Sequence, residues 1–245
     1  GRPPQLAIGE GATTAAAAVG DLPPSPAALS QLHLTAEDAT PLTALPDGAA
    51  DAATALATAA GALPAGRLDV NGQQIDLRTT NSWLLKLADV STPELVEVFA
   101  INTLAPFLIN ARLQPLLAAT AQRDAAAGAA FVVNVSAMEG KFYRHKTANH
   151  PHTNMAKAAL NMMTRTSAPE LASRLRIYMT AVDTGWINDE NPRERAARNA
   201  EENHFQTPID EVDAAARVLH PVFDGLATGA PLFGVFLKDY AESEW

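Results

Sequence analysis

Ser136 and Lys157 are of the types, and at the spacing, that can share one chemical task. Ser136 ends the apolar run Phe131-Val-Val-Asn-Val135, which has the β-branched texture of a buried parallel strand. Lys157 falls on a helix predicted over 153–172. In open parallel sheets, functional groups collect at the carboxyl ends of strands. A hydroxyl at a strand tip and an ammonium on the following helix therefore converge on one point. There they can orient a carbonyl and lower the pKa of a nearby hydroxyl. A second strand predicted over 177–182 ends in Asp183-Thr184-Gly185-Trp186-Ile187, which sets a Thr–Gly corner at the same end of the sheet.

The elements that must hold these groups follow from periodicity. A helix is predicted over 92–117, with Ser91 as cap and Glu94 at the capping-box spacing. Its apolar positions Leu95, Val98, Phe99, Leu104 and 107–109 predict burial around much of its girth. A helical region spans 208–226, and Leu232-Phe-Gly-Val-Phe-Leu237 reads as a third strand. Strands alternating with long helices imply right-handed crossovers and a parallel sheet covered on both faces, an α/β class.

The first 66 residues differ in kind. They contain no Phe, Tyr or Trp, one Ile, one Val and a single basic side chain, Arg2. Strands need β-branched and aromatic residues, so this segment is expected to supply none. Its Ala/Leu stretches predict short helices near 26–32 and 47–62, the second capped by Asp47 and ended by Pro64. The expected organisation is an Ala/Pro-rich insertion over 1–66, helical or partly flexible, followed by an α/β unit over 67–245.

Whole-chain numbers set outer bounds. The 245 residues suffice for a real core, and 18 basic against 27 acidic side chains give a net charge of −9. Such a balance, with no basic run, argues against a nucleic-acid surface. No charge-free apolar stretch of about 18 residues occurs, so no membrane span is expected. The start, Gly1-Arg2-Pro3-Pro4, reads as neither a signal nor a transit peptide. The absence of cysteine excludes disulfides and thiolate metal sites and fits a cytoplasmic setting. No metal site is expected, because His145, His150 and His152 with Glu139 lack a spacing that fixes a geometry.

From about residue 77 to 237 the chain resembles the short-chain dehydrogenase/reductase family. The motifs are Ile101-Asn102-Thr-Leu-Ala105, Asn134-Val-Ser136, Thr153-Asn-Met-Ala-Lys157 and Thr184-Gly185-Trp-Ile187. More narrowly it is similar to a longer bacterial subgroup, through Asn71-Gly-Gln-Gln74, Asp76-Leu-Arg78, Asn81-Ser-Trp83, Ser136-Ala-Met-Glu-Gly-Lys-Phe142 and Leu237-Lys-Asp-Tyr240. In that subgroup an insertion precedes the Asp-Leu-Arg segment, and residues 1–66 resemble it. The resemblance implies a Rossmann-like doubly wound sheet, a nicotinamide dinucleotide (NAD or NADP), and hydride transfer between it and a carbonyl or alcohol. It implies that Ser136 hydrogen-bonds the substrate oxygen, Lys157 holds the nicotinamide ribose, and Asn102 anchors a proton relay. Asn134, Thr184, Gly185 and Ile187 would border the cofactor.

Two departures from the family pattern stand out. Thr153 occupies the position four before Lys157 where the family's general-acid tyrosine belongs, and its hydroxyl is too weakly acidic for that work. Tyr143, His152 and Thr153 remain candidate proton donors, in that order, with His150 nearby. Second, neither Gly-x-x-x-Gly-x-Gly nor Gly-x-Gly-x-x-Gly occurs, and Gly9-Glu-Gly11 follows no strand-like run. Without that turn the pyrophosphate has no cradle. The chain therefore reads as a carboxyl-terminal half, expected to pair with an amino-terminal half or a second copy. The alternative is a catalytically inactive binding or assembly module. Residues 188–198 fall where the family builds a substrate lid, or form an ordinary solvated charge run. Met155, Met162 and Met163 read as core filling.

Overall fold

The computed structural model describes residues 77–123, 128–143, 145–187, 191–204 and 207–245. The expected insertion over 1–66, its short helices and the motif at 71–74 lie outside the described residues. Helix α1 (Thr92–Phe99) begins where the sequence placed it, and Ser91 Oγ accepts the Glu94 amide at 3.3 Å. A π-helical turn (Ala100–Leu104) links it to α2 (Ala105–Gln122). Strand β1 (Ala130–Ser136) and a 3-10 turn (Met138–Gly140) lead to the long helix α3 (Pro151–Leu175). Then come β2 (Ile177–Asp183), α4 (Arg193–Asn203), α5 (Glu211–Thr228), β3 (Phe236–Lys238) and β4 (Ala241–Ser243).

The sheet order is β1-β2-β3-β4. β1 and β2 run parallel from Ala130↔Ile177 to Ser136↔Asp183, and β2 and β3 run parallel from Ala181↔Phe236 to Asp183↔Lys238. β4 returns antiparallel on β3. Side chains on β1 alternate between faces. Asn134 and Ser136 meet α3, whereas Phe131 lies against Gly225 of α5. Helices thus cover both faces, the doubly wound Rossmann-like arrangement that the alternation of elements predicts. Ala121, Ala130 and Ile177 form a buried knot where α2 meets the strands, and Arg176 reinforces it by donating to the Ala121 carbonyl at 2.5 Å.

Three expectations need correction. The third strand was expected over 232–237, but the ladder is confined to Phe236–Lys238, because Gly234 turns the chain at φ 67° just before it. The β4 hairpin was not anticipated, since Ala-Glu-Ser carries little strand propensity; a two-residue turn with Asp239 and Tyr240 at φ 50° and 65° creates it. The helix over 92–117 extends to Gln122 but is not buried around its girth: Ala121 alone is buried in α2, and Leu104 and Phe107 are 55% and 56% exposed. The reason is positional. α2 packs on β1, and among the described residues β1 is an edge strand with nothing beyond it.

Thr92–Gln122 is long and apolar enough to cross a membrane by length and composition alone, although Glu94, Glu97 and Arg112 leave it without a charge-free run of about 18 residues. Arg112 lies within it, and Thr103 Oγ1 ties it to α3 by donating to the Ala156 carbonyl at 3.1 Å.

Candidate functional site

The inward face of β1 is polar at two positions, and α3 answers both. Asn134 Nδ2 donates to Thr164 Oγ1 at 2.9 Å, and its Oδ1 accepts from Asn110 Nδ2 at 3.1 Å. Thr164 Oγ1 in turn donates to the Leu160 carbonyl. Two residues along, Ser136 Oγ donates to Asn161 Oδ1 at 2.5 Å, and Asn161 Nδ2 reaches the Gly140 carbonyl at 3.2 Å. A two-residue step on a strand is thereby matched to a three-residue step on a helix. Buried polar groups satisfied in this way hold the register between the two elements.

Lys157 stands one turn before Asn161, on the same face of α3. Its Nζ donates to the Val135 carbonyl at 3.0 Å. That carbonyl has a particular direction. The Ala130 amide donates to the Arg176 carbonyl at the foot of β2, so alternate residues of β1 turn their backbone groups toward β2. Phe131, Val133 and Val135 turn theirs outward, to the edge where no described strand pairs. Lys157 thus sits at that edge. Burial depresses its pKa below the usual 10.5, and the nearby Glu139 carboxylate offsets part of the effect.

An open cleft of about 330 Å³ runs along this edge, between β1, α2 and α3. Asn102, Asn110, Val133, Val135 and Lys157 line it. Asn102 lies in the π-helical turn and donates from Nδ2 to the Val98 carbonyl at 3.0 Å. Such a turn inserts an extra residue and re-aims the side chains around it.

At the tip of β2, paired in register with Ser136, Asp183 is buried and organises the corner that follows. Its Oδ1 accepts the Gly185 amide at 3.0 Å, and its Oδ2 takes the Lys238 ammonium at 2.8 Å. Gly185 has φ 86°, and a Cβ there would lie 2.8 Å from Ile209 Cδ1, so the corner needs glycine. Thr184 Oγ1 donates to the Gly185 carbonyl at 3.3 Å, and Ile187 is half-buried just beyond.

The candidates therefore separate. Asn102, Asn134 and Lys157 gather on the cleft, and the Ser136 and Thr184–Gly185 tips lie beside each other. Ser136 is buried, with its hydroxyl committed to Asn161. Thr153 is half-buried in the first turn of α3, one turn before Lys157. His152 is buried, its Nε2 3.3 Å from Glu94 Oε1, which also accepts Ser82 Oγ at 2.5 Å. It faces α1. His150 Nδ1 lies 2.9 Å from the Trp83 carbonyl, with its ring edge-on to the indole. Tyr143 leans toward the carboxyl terminus, its hydroxyl 3.4 Å from Ser243 Oγ and its ring 4.7 Å from Lys141 Nζ. Met155 and Met162, expected as core filling, are more than half exposed on α3, because the helix turns Asn161 and Thr164 to the sheet and these two away from it.

The sequence reading missed Asn161, Thr164 and Lys141. Asn161 was findable, because it follows Lys157 by four on a helix that must face the Ser136 tip. Lys141 was not: it is buried with its ammonium on Ser243 Oγ and 4.2 Å above the Phe236 ring, a long-range packing no local signal announces. Among the described residues no cluster of His, Asp or Glu could hold a metal ion.

The fold and cleft define a class of arrangement: a doubly wound α/β unit whose sheet edge at β1 is unpaired among the described residues, with a mainly apolar crevice along it that carries Asn102, Asn110, Asn134 and Lys157. No family model matches the chain. An uncharacterized protein of Acanthamoeba polyphaga mimivirus is 34% identical over 158 residues, which is 62% of this chain and 32% of that protein. Among solved structures, the NADPH-bound carbonyl reductase from chicken fatty liver is similar at 21% identity and a TM-score of 0.45, covering 70% of this chain and 63% of that one. The carbonyl reductase Sniffer of D. melanogaster is similar at 17% identity and a TM-score of 0.49, covering 65% and 59%. The RhlG/NADP complex of Pseudomonas aeruginosa is similar at 23% identity and a TM-score of 0.48, covering 64% and 60%. The match thus spans about a third of the viral protein and about three fifths of these structures.

Proposed function

We propose that this chain is the carboxyl-terminal half of a short-chain dehydrogenase/reductase of the long, insertion-bearing type. It would reduce a carbonyl, or oxidise an alcohol, with NAD or NADP once an amino-terminal half completes the sheet. The observation that supports the reading is the cleft along β1, lined by both Asn102 and Lys157, with Ser136 following the cleft-lining Val135 and paired in register with Asp183, just ahead of Thr184–Gly185. The fit to a dinucleotide is one-sided. Lys157 suits the ribose hydroxyls, and the backbone around Thr184–Ile187 suits the carboxamide, while the chain has no glycine-rich turn for the pyrophosphate. When bound, the nicotinamide would supply or accept the hydride. Lys157 would orient the ribose, Ser136 would polarise the substrate oxygen after leaving Asn161, and Asn102 would hold the relay. The proton would come from Tyr143, His152 or Thr153. Of these, Thr153 lies nearest Lys157 along α3, and Tyr143 carries a more acidic hydroxyl than Thr153 but needs its loop to move.

A specific observation favours a second reading, an inactive binding or assembly subunit. Thr153 stands where a tyrosine is needed, and the Ser136 hydroxyl is buried against Asn161. Titrating NADH and NADPH into this chain, with and without an amino-terminal nucleotide-binding half supplied as a separate polypeptide, separates the two by nicotinamide fluorescence. Binding by the reconstituted pair alone supports the split enzyme. Binding in neither case supports the inactive module.

A further inference from the structure

The contact between Lys157 and Val135 couples sheet completion to the site. We infer that the Lys157 ammonium is a displaceable cap on the open edge of β1, and that a parallel strand docking on that edge releases it into the cleft. This deepens the preceding reading and rests on it, since the strand is assigned to the amino-terminal half.

Among the described residues no strand pairs with the outward backbone groups of Phe131, Val133 and Val135, and an apolar edge of this kind is a template for another strand. Lys157 Nζ satisfies the last of these carbonyls at 3.0 Å. A carbonyl taken into a parallel ladder accepts from the incoming strand's amide along the edge direction. The ammonium that lies on this edge now occupies the same approach, so the two partners compete. β1 already pairs in parallel with β2, and β2 with β3, so a parallel strand continues the sheet without reversing its sense. The occupant is the amino-terminal half of the preceding reading: the 62% of this chain that matches the viral relative covers 32% of that protein, so that relative carries the matching segment together with further polypeptide of its own. Displacement leaves Lys157 beside Asn102, which lines the same cleft.

The test measures binding of an amino-terminal nucleotide-binding half, supplied as a separate polypeptide, to three forms of the full chain: wild type, Lys157→Met and Lys157→Arg. Amide exchange at Val133 and Val135 is followed in each complex. Removing a cap that competes with the strand should tighten binding about fivefold in Lys157→Met, the equivalent of one net hydrogen bond. Lys157→Arg keeps a donor and should bind like wild type. The Val133 and Val135 amides should become protected in all three complexes. Protection with unchanged or weaker binding by Lys157→Met overturns the cap while leaving the completed sheet intact. Absence of protection overturns strand docking itself, and with it the assignment of the missing half. Matching far-ultraviolet dichroism of the three chains excludes misfolding as the source of any difference.

Discussion

Lys157 carries a cation into a place that partly excludes water, and this has a signed consequence for stability. Its pKa in the folded chain lies below the 10.5 of an unhindered lysine, chiefly through burial. Between the lowered value and 10.5 the unfolded chain holds more protons than the folded one, so stability must rise with pH across that alkaline window. Below the window the penalty of holding the charge is fully present. Lys157→Met lacks the penalty, so its margin over wild type should shrink as pH climbs toward 10.5, as read from urea midpoints at several pH values. Asn161 presents the opposite case, a neutral group whose loss strands two others. Asn161→Ala leaves the Ser136 hydroxyl and the Gly140 carbonyl without their partner and should cost about 1–3 kcal/mol in denaturant unfolding. A combined Ser136→Ala/Asn161→Ala variant should then be less destabilised than the sum of the two single changes. Ser136 and Lys157 stand out as candidates in the sequence by residue type and spacing, and Asn102 by the family resemblance. Their present partners were not, since Val135 and Asn161 become partners only after the strand and helix have docked.

Elements dock here through close backbone approach as much as through apolar area. The 3-10 turn lies so near α3 that a Cβ on Gly140 would fall 2.7 Å from the Lys157 carbonyl carbon. Helix backbone cannot yield as a side chain would. Gly140→Ala should therefore destabilise by about 1–3 kcal/mol, visible in thermal unfolding, and should loosen the Ser136–Asn161 contact. Periodicity predicted the starts of α1 and α3 within a residue or two, because caps and prolines mark them: Ser91 before Thr92, and Pro151 at the head of α3. It failed over the burial of α2. An apolar helix reads as buried whether its partner belongs to the same chain or is still to arrive. The π-helical turn around Asn102 was likewise invisible, since an extra residue in a helix leaves no compositional trace.

At the scale of the molecule, the exposed stripe on α2 and the edge of β1 that is unpaired among the described residues border the same cleft. Phe107 is more than half exposed on that stripe. Phe107→Glu should reduce self-association in sedimentation at micromolar concentration while shifting the melting temperature by only a few degrees, because little packing is lost. An unchanged association would locate the sticky surface elsewhere. The α/β class was readable from the sequence alone because alternating strand and helix patterns survive without context. The far boundary of the sheet was not, because it rests on a turn whose two residues, Asp239 and Tyr240, adopt a conformation that favours glycine or asparagine.

That turn has a consequence for assembly. The β4 hairpin finishes the sheet on one flank with a three-residue strand, too short and too polar to recruit a neighbour. Among the described residues the opposite flank is unpaired, so one end of this sheet is blunt and a further strand can join it only beside β1.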